Sequence, residues 1–317
     1  MKETLKISFL TGLLFFFFGS LKAQTLEDYL QIAAENNPEV KAAYSEFEAA
    51  LQEAPQVKSL PDPTLTVAAF GNMIEPGMGS IDARFQLMQM FPWFGTLGTR
   101  KDVAGHMAEA KFQAFLDVRN RLLYEVSSKY FQLYELDQQV IFQQENQEIL
   151  QNYKDLALSR VSAGSGALSD VLKTDLLRNE ALTTLEVLRL KKESVVAQFN
   201  ALLNRNSREA VHLPKELKIS FENTTFDTGV AGNPQLAEMD QMAASERARQ
   251  DLAKKEGLPM LGVGVDYMVM GTTGEMDMEE GGGDAIMPMF SISLPIFRGK
   301  YKAARKQAEF MAESYEQ

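Results

Sequence analysis

Few residues of this chain are of a type and spacing that could carry chemistry. The two histidines, His106 and His212, lie more than 100 residues apart, and there is no cysteine. Neither histidine has a second one three or four positions away, so the ligand set of a zinc site is missing. Neither lies near a recognisable nucleophile motif, so a hydrolase triad has no support. Gly262-Val263-Gly264 lacks the third glycine and the following helix of a dinucleotide loop, and a strand with glycines on one face explains it better. The segment from Met268 to Met289 is the exception. It holds Met268, Met270, Met276, Met278, Met287 and Met289 among Glu275, Asp277, Glu279, Glu280 and Asp284, beside Gly281-Gly282-Gly283. Thioethers suit Cu(I) or Ag(I), and carboxylates suit harder cations. The same composition fits a solvated acidic loop between two strands. The loop reading is preferred, with metal contact as the alternative. No catalytic residue, cofactor or metal ligand is therefore assigned, and the chain is not expected to be an enzyme.

Function must then rest on architecture. Lys2 and Lys6 precede an apolar run from Ile7 to Phe18, followed by Gly19-Ser20 and Ala23, which reads as a secretory signal peptide over residues 1–23. The run is shorter than the roughly 20 residues that a transmembrane helix needs. Without cysteine there is neither a disulfide framework nor the lipid-accepting cysteine of a lipoprotein signal. Removing residues 1–23 takes away Lys2, Lys6, Lys22 and Glu3, which moves the formal net charge from −11 to −13. A nucleic-acid partner is not expected of so acidic a chain. No long apolar segment follows residue 24, which excludes an α-helical membrane protein but not transmembrane strands, whose only signal is alternation.

The chain carries an internal repeat, and that constrains the fold most. Asn36-Asn37-Pro38-Glu39-Val40 opens a helical segment ending near Leu60-Pro61, ahead of a strand-like run from Thr64 to Phe70. After 196 residues, Gly232-Asn233-Pro234-Gln235-Leu236 opens a helix ending at Leu258-Pro259, ahead of a run from Leu261 to Tyr267. Each copy continues through a loop and a second strand to a proline and aromatic exit into a basic helix. The exits are Phe91-Pro92-Trp93-Phe94-Gly95 and Leu294-Pro295-Ile296-Phe297-Arg298-Gly299.

Between the copies, Lys101 to Val161 contains no proline, and apolar residues recur at Leu123, Val126, Tyr130, Leu133, Leu136 and Val140 in steps of three and four, the helical period. Those ~60 residues would span about 90 Å. A break at Ala163-Gly164-Ser165-Gly166-Ala167 is followed by renewed periodicity from Leu168 through Leu172, Leu182, Leu185, Leu188, Val195, Phe199 and Leu202. This predicts a long antiparallel hairpin with a glycine tip, its returning helix capped by Ser169 or Asp170.

Four strands alternate. Ile81, Ala83, Phe85 and Leu87 oppose Asp82, Arg84, Gln86 and Met88. Leu261, Val263, Val265, Tyr267 and Val269 oppose Gly262, Gly264, Asp266 and Met268. Ile286, Pro288, Phe290, Ile292 and Leu294 oppose Met287, Met289, Ser291 and Ser293. One face suits lipid and the other a wet lumen, with Phe85, Leu87, Val263, Val265, Phe290 and Ile292 as the lipid-facing set and Gly264 on a roomy lumenal side. A soluble sheet with one buried face shows the same period. Four strands do not close a membrane barrel, which needs about eight or more, and hydrocarbon does not tolerate open edges. Three chains sharing one barrel would supply about twelve strands.

The duplicated order of helix, strand pair and long hairpin resembles the TolC-like outer membrane efflux family, with some similarity to its heavy-metal branch. The likeness covers residues 25–317. Its sharpest piece is Arg160-Val161-Ser162-Ala163-Gly164 with Leu168-Ser169-Asp170-Val171-Leu172, similar to the family's periplasmic tip sequence. The resemblance implies a mainly α fold with membrane β: long periplasmic antiparallel helices and four strands per chain given to a shared trimeric barrel. It also implies a homotrimer in outer-membrane lipid that docks, through Ala163, Gly164, Ser165, Gly166, Leu168, Ser169 and Asp170, onto a periplasmic adaptor serving an inner-membrane pump. The expected organisation is signal peptide 1–23, entry helices 24–63, first strand pair 64–94, hairpin 95–205 with its tip at 163–170, linker 206–231, second entry helix 232–259, second strand pair 260–297, and the start of a second hairpin at 298–317. Repeat symmetry calls for a second hairpin of roughly 100 residues, so the sequence reads as a C-terminally truncated piece. The competing reading is a soluble periplasmic coiled-coil scaffold or adaptor protein.

Overall fold

The computed structural model describes residues 24–70, 80–217, 232–271 and 283–317. The expected signal peptide, part of the expected linker, and Met276, Met278 and the acidic residues 275–280 lie outside them. The described elements run α1 (Leu26–Asn36), α2 (Pro38–Lys58), β1 (Thr64–Ala69), β2 (Ser80–Phe91), α3 (Thr96–Ser162), α4 (Leu168–Leu202), α5 (Pro234–Glu256), β3 (Met260–Gly271), β4 (Ala285–Ser293) and α6 (Gly299–Glu316). Among the described residues no helix is long and apolar enough to cross a membrane. The chain divides into two units, Met1–Lys41 with Val118–Thr225 and Ala42–Asp117 with Phe226–Gln317.

In the first unit, α1 starts at a reciprocal cap. The Thr25 backbone N–H donates to Asp28 Oδ2 at 2.8 Å, and the Asp28 N–H donates to Thr25 Oγ1 at 3.4 Å. This satisfies amides that the helix leaves unpaired. Leu122, Val126, Tyr130, Leu133 and Leu136 of α3 are buried, as are Leu185, Val195 and Phe199 of α4. The core centres on Tyr29, fully buried, whose ring meets Phe199 edge-on at 5.2 Å. The Arg205 guanidinium lies 5.0 Å from the Tyr29 ring centroid and donates from Nε to Asn200 Oδ1 at 2.7 Å. Asn200 in turn donates to the carbonyls of Ser207 and Glu209.

The second unit holds the sheet. It is antiparallel throughout, in the order β1-β2-β3-β4, so β1 and β4 are its edges. The two repeat copies therefore meet at β2 and β3, where Leu87 pairs with Val265 and Gln86 with Asp266. A register shift falls between Ile81 and Ala83. The extra residue changes the phase of the alternation, so Ile81 pairs with Met270 and leaves the Phe85 face on which simple alternation had placed it.

The repeat landmarks have a physical cause. Asn233 Oδ1 accepts the Gln235 N–H at 3.0 Å ahead of Pro234 at the first helical position, and Asn37 Oδ1 accepts the Glu39 N–H at 2.8 Å ahead of Pro38. An asparagine cap followed by a proline, whose missing N–H costs nothing there, starts both helices. Asn37 also donates from Nδ2 to the Leu202 carbonyl at 2.9 Å.

Candidate functional site: the two-faced sheet and the hairpin tip

Register sorts the strand residues into two faces. Leu65, Phe85, Leu87, Val263, Val265, Phe290 and Ile292 share one face, and all are exposed, Phe290 by 82%. On the other face Gly262, Gly264 and Asp266 are buried, and Arg84, Gln86 and Met88 are half-buried. Branched aliphatic and aromatic residues thus point outward, while glycine, polar residues and methionine point inward, the reverse of a soluble sheet with one covered face. A contiguous exposed apolar surface of this kind marks contact with lipid or with another protein.

The inward face carries a charge pair. Arg84 Nε donates to Asp266 Oδ1 at 3.0 Å and Oδ2 at 2.8 Å, and Nη2 also reaches Oδ2. The carboxylate is fully buried while the guanidinium remains partly exposed. A buried carboxylate without this partner would be strongly penalised, so the pair ties the first repeat's strands to the second's. Both charges are visible in sequence on polar strand faces, but their partnership depends on a register joining residues 182 positions apart. Asp284 is likewise engaged, since its carboxylate accepts the Tyr267 hydroxyl and, at 3.4 Å, the Met270 N–H.

The glycines of β3 are not beside a roomy space. A Cβ on Gly264 would lie 2.6 Å from the Leu87 carbonyl oxygen and 3.1 Å from Met88 Sδ. One on Gly262 would lie 2.1 Å from Ser291 Oγ and 2.6 Å from Met90 Sδ. The expectation of a roomy side at Gly264 is corrected: the β2 backbone and the side chains of β2 and β4 fill the space over these glycines.

At the other candidate site, α3 ends in a Schellman arrangement. The Ser165 N–H donates to the Arg160 carbonyl at 2.9 Å and the Gly164 N–H to the Val161 carbonyl at 3.0 Å, with Gly164 at φ +72°. Glycine is needed there for its left-handed backbone. Gly166 is needed for a different reason: a Cβ would lie 2.8 Å from Arg160 Cβ and 3.0 Å from Val161 N. Ala163, Gly164, Ser165, Gly166, Leu168, Ser169 and Asp170 are all exposed. The capping expectation needs correction. Ala167 is the N-cap, with no side-chain hydrogen bond, and Ser169 and Asp170 lie within the first turn of α4. Asp170 there complements the positive helix end by charge rather than as a cap. Leu168, Leu172 and Leu176, four residues apart, form an exposed apolar ridge leading from the tip. The hairpin is pinned laterally by Lys154 Nζ on Asp175 Oδ1 at 2.5 Å, by Lys192 on Asp137, and by Gln143 Nε2 on the Ala181 carbonyl at 3.1 Å. The hydrogen bond from Lys154 holds the Asp175 carboxyl below its ordinary range.

The histidines sit elsewhere in ordinary surroundings. His106 Nδ1 lies 3.0 Å from Gln241 Oε1, and His212, with an exposed side chain, donates its backbone N–H to the Tyr29 hydroxyl at 2.8 Å. Among the described residues no three His, Cys, Asp or Glu side chains converge as a metal site. Phe94 and Phe297, equivalent in the repeat, are 81% and 85% exposed.

No curated protein sequence matches the chain. Solved structures share its fold at low identity. A membrane protein from Pseudomonas aeruginosa superposes with a TM-score of 0.72 at 17% identity, over 92% of this chain and 71% of that one. The outer-membrane channel OprN gives 0.74 at 18% identity, over 92% and 70%. The outer membrane protein VceC of Vibrio cholerae gives 0.71 at 14% identity, over 92% and 73%. The family model described as outer membrane efflux protein matches residues 29–205, more than half of the 317 residues, and with it the exposed apolar sheet face and the glycine-tipped hairpin find their context: the chain belongs to the outer membrane efflux protein family.

Proposed function

We propose that this outer-membrane protein is one subunit of a passive exit duct in a tripartite efflux system, its sheet contributed to a barrel shared with other copies and its hairpin tip docked onto a periplasmic adaptor. The observation that carries the reading is the four-stranded sheet with two open edges and its apolar face outward. Open edges are not stable in hydrocarbon, and four strands are about half of the smallest membrane barrel. Both problems disappear if β1 of one copy pairs with β4 of the next, and three copies give about twelve strands. Phe85, Leu87, Val263, Val265, Phe290 and Ile292 then meet lipid. Phe94 and Phe297, at the strand exits, suit the aromatic girdle at the membrane boundary. The Leu168, Leu172 and Leu176 ridge and the polar backbone of the tip offer the adaptor an apolar anchor with a hydrophilic rim. Transport energy would come from the inner-membrane pump, and heavy-metal cations are the proposed cargo. Membership of an outer-membrane family disfavours the soluble scaffold alternative.

The test is fractionation and conductance of the full chain. Retention in the outer-membrane fraction after carbonate and salt washing, a cross-linked trimer and discrete ion conductance in planar bilayers are expected. Release by carbonate as a monomer would contradict the proposal.

A further inference from the structure

The two sheet faces differ in a way that polarity alone does not explain. From Ala83 onward in β2, and throughout β1, β3 and β4, the outward face carries Leu, Val, Ile, Phe, Tyr, Pro and Ala with one polar residue, Gln89, but no methionine. Over the same span, which leaves out Ile81 beyond the bulge, the inward face carries no branched aliphatic and no aromatic residue, and its apolar side chains larger than alanine are all methionine. Besides Met260 and Met270 near the two ends of β3, these are Met88 and Met90 of β2, Met268 of β3, and Met287 and Met289 of β4.

Their arrangement converges. Met88 pairs with Gly264 and Met90 with Gly262, and on the far side Met289 pairs with Gly264 and Ser291 with Gly262. With no side chain on β3 between them, residues of β2 and β4 face each other over a glycine notch. Met88 Sδ and Met90 Sδ each lie 3.7 Å from the Ser291 hydroxyl oxygen, and both sulfurs sit over the Gly262 Cα. If filling the notch were the only requirement, leucine would serve, since leucine and methionine exchange at nearly equal volume. The consistent choice is of a side chain with sulfur.

We propose that this face binds soft monovalent cations, Cu(I) or Ag(I), through a thioether site formed by Met88, Met90 and Met289. The assignment rests on the duct reading above, which makes the inward face lumenal, and it gives the cargo a chemical class. Thioethers select Cu(I)-type ions over hard divalent cations, and methionine's three rotatable bonds let the sulfurs close on an ion. A thioether has no proton to lose, unlike the thiol, imidazole or carboxyl ligands whose metal affinity falls on acidification. Binding is therefore insensitive to pH between about 5 and 8.

The experiment uses the full chain in detergent, with Ag(I) as probe under chelator competition, X-ray absorption of the bound metal, and planar-bilayer conductance on the same samples. Wild type is expected to bind Ag(I) with sulfur neighbours and unchanged affinity across that pH range. The double variant Met88→Leu/Met90→Leu should lose at least tenfold in affinity, whereas Met311→Leu, on α6, should lose none. Absorption spectra of the wild type showing only oxygen or nitrogen neighbours would overturn the site, whatever the fold of the variants. Normal conductance with unchanged silver affinity in the double variant would overturn it while leaving the duct intact. Sulfur-ligated silver in a chain without conductance would uphold the site and remove the duct.

Discussion

Phe290→Arg separates a membrane sheet from a soluble one because Phe290 is 82% exposed within the chain. A side chain so free of neighbours loses almost nothing within its own chain on replacement. In a soluble protein the change would fall within about ±0.5 kcal/mol, as for surface substitutions generally. If the outward face meets hydrocarbon, the same arginine costs about 2–4 kcal/mol near the bilayer midplane. The adjacent Met289 sits on the opposite face of the same strand, paired with Gly264, at the same depth. Met289→Arg should therefore cost under about 1 kcal/mol, since a lumenal charge stays hydrated. The assay is urea unfolding of the full chain refolded into lipid vesicles, followed by tryptophan fluorescence and by the heat-modifiable migration of the folded form. Equal costs at the two positions, or a loss below about 0.5 kcal/mol at Phe290, would refute the reasoning.

Gly164→Ala, at φ +72°, should cost about 1–2 kcal/mol because L residues are strained there, while Gly164→Pro should disrupt the turn outright by requiring negative φ and removing the N–H held by Val161; urea melts of the full chain check both. Leu168→Asp should leave trimer migration and membrane fractionation unchanged while abolishing cross-linking to the adaptor. Asn37→Ala should be more damaging than Asn233→Ala, the latter losing about 1 kcal/mol of cap energy and the former also a hydrogen bond to Leu202; thermal melts of the two variants give the order. Burial, then the nearby Asp117, raises the Glu238 carboxyl above its ordinary range. The folded state thus holds its proton more tightly than the unfolded chain, and stability is gained as pH falls through the folded pKa toward the unfolded value. Glu238→Gln should melt higher than wild type at pH 7.5, and the difference should vanish by about pH 4, near the unfolded carboxylate value.

Much of this architecture was legible because its signals are local. Asn37-Pro38 and Asn233-Pro234 cap helices with their own side chains and backbone, and Phe85, Leu87, Val263 and Val265 keep the strand period without interruption. Where a long-range contact decides, the sequence was silent. A one-residue bulge took Ile81 out of phase, and nothing in the run from Ser80 to Phe91 distinguishes Asp82 as the extra residue. The Arg84–Asp266 pair exists only because β2 and β3 join in one register. Gly166 reads as a turn residue, but its need comes from the closeness of Arg160. Periodicity likewise marks a stripe from Leu168 to Leu202, of which Leu185, Val195 and Phe199 are buried while Leu168, Leu172 and Leu182 are exposed. A helical period marks an apolar face without saying whether the same chain covers it.

The central claim, that the outward sheet face meets lipid and the inward face meets water, is open to a direct measurement because the chain has no cysteine. Single cysteines placed along β4 at Met287, Pro288, Met289, Phe290, Ser291 and Ile292 can each carry a nitroxide label in outer-membrane vesicles. Collision rates with oxygen, which concentrates in lipid, and with a water-soluble nickel chelate then report the medium at each position. The account predicts strict alternation, with oxygen favoured at 288, 290 and 292 and nickel at 287, 289 and 291. Nickel access at all six positions, or oxygen preference on the methionine face, would contradict it.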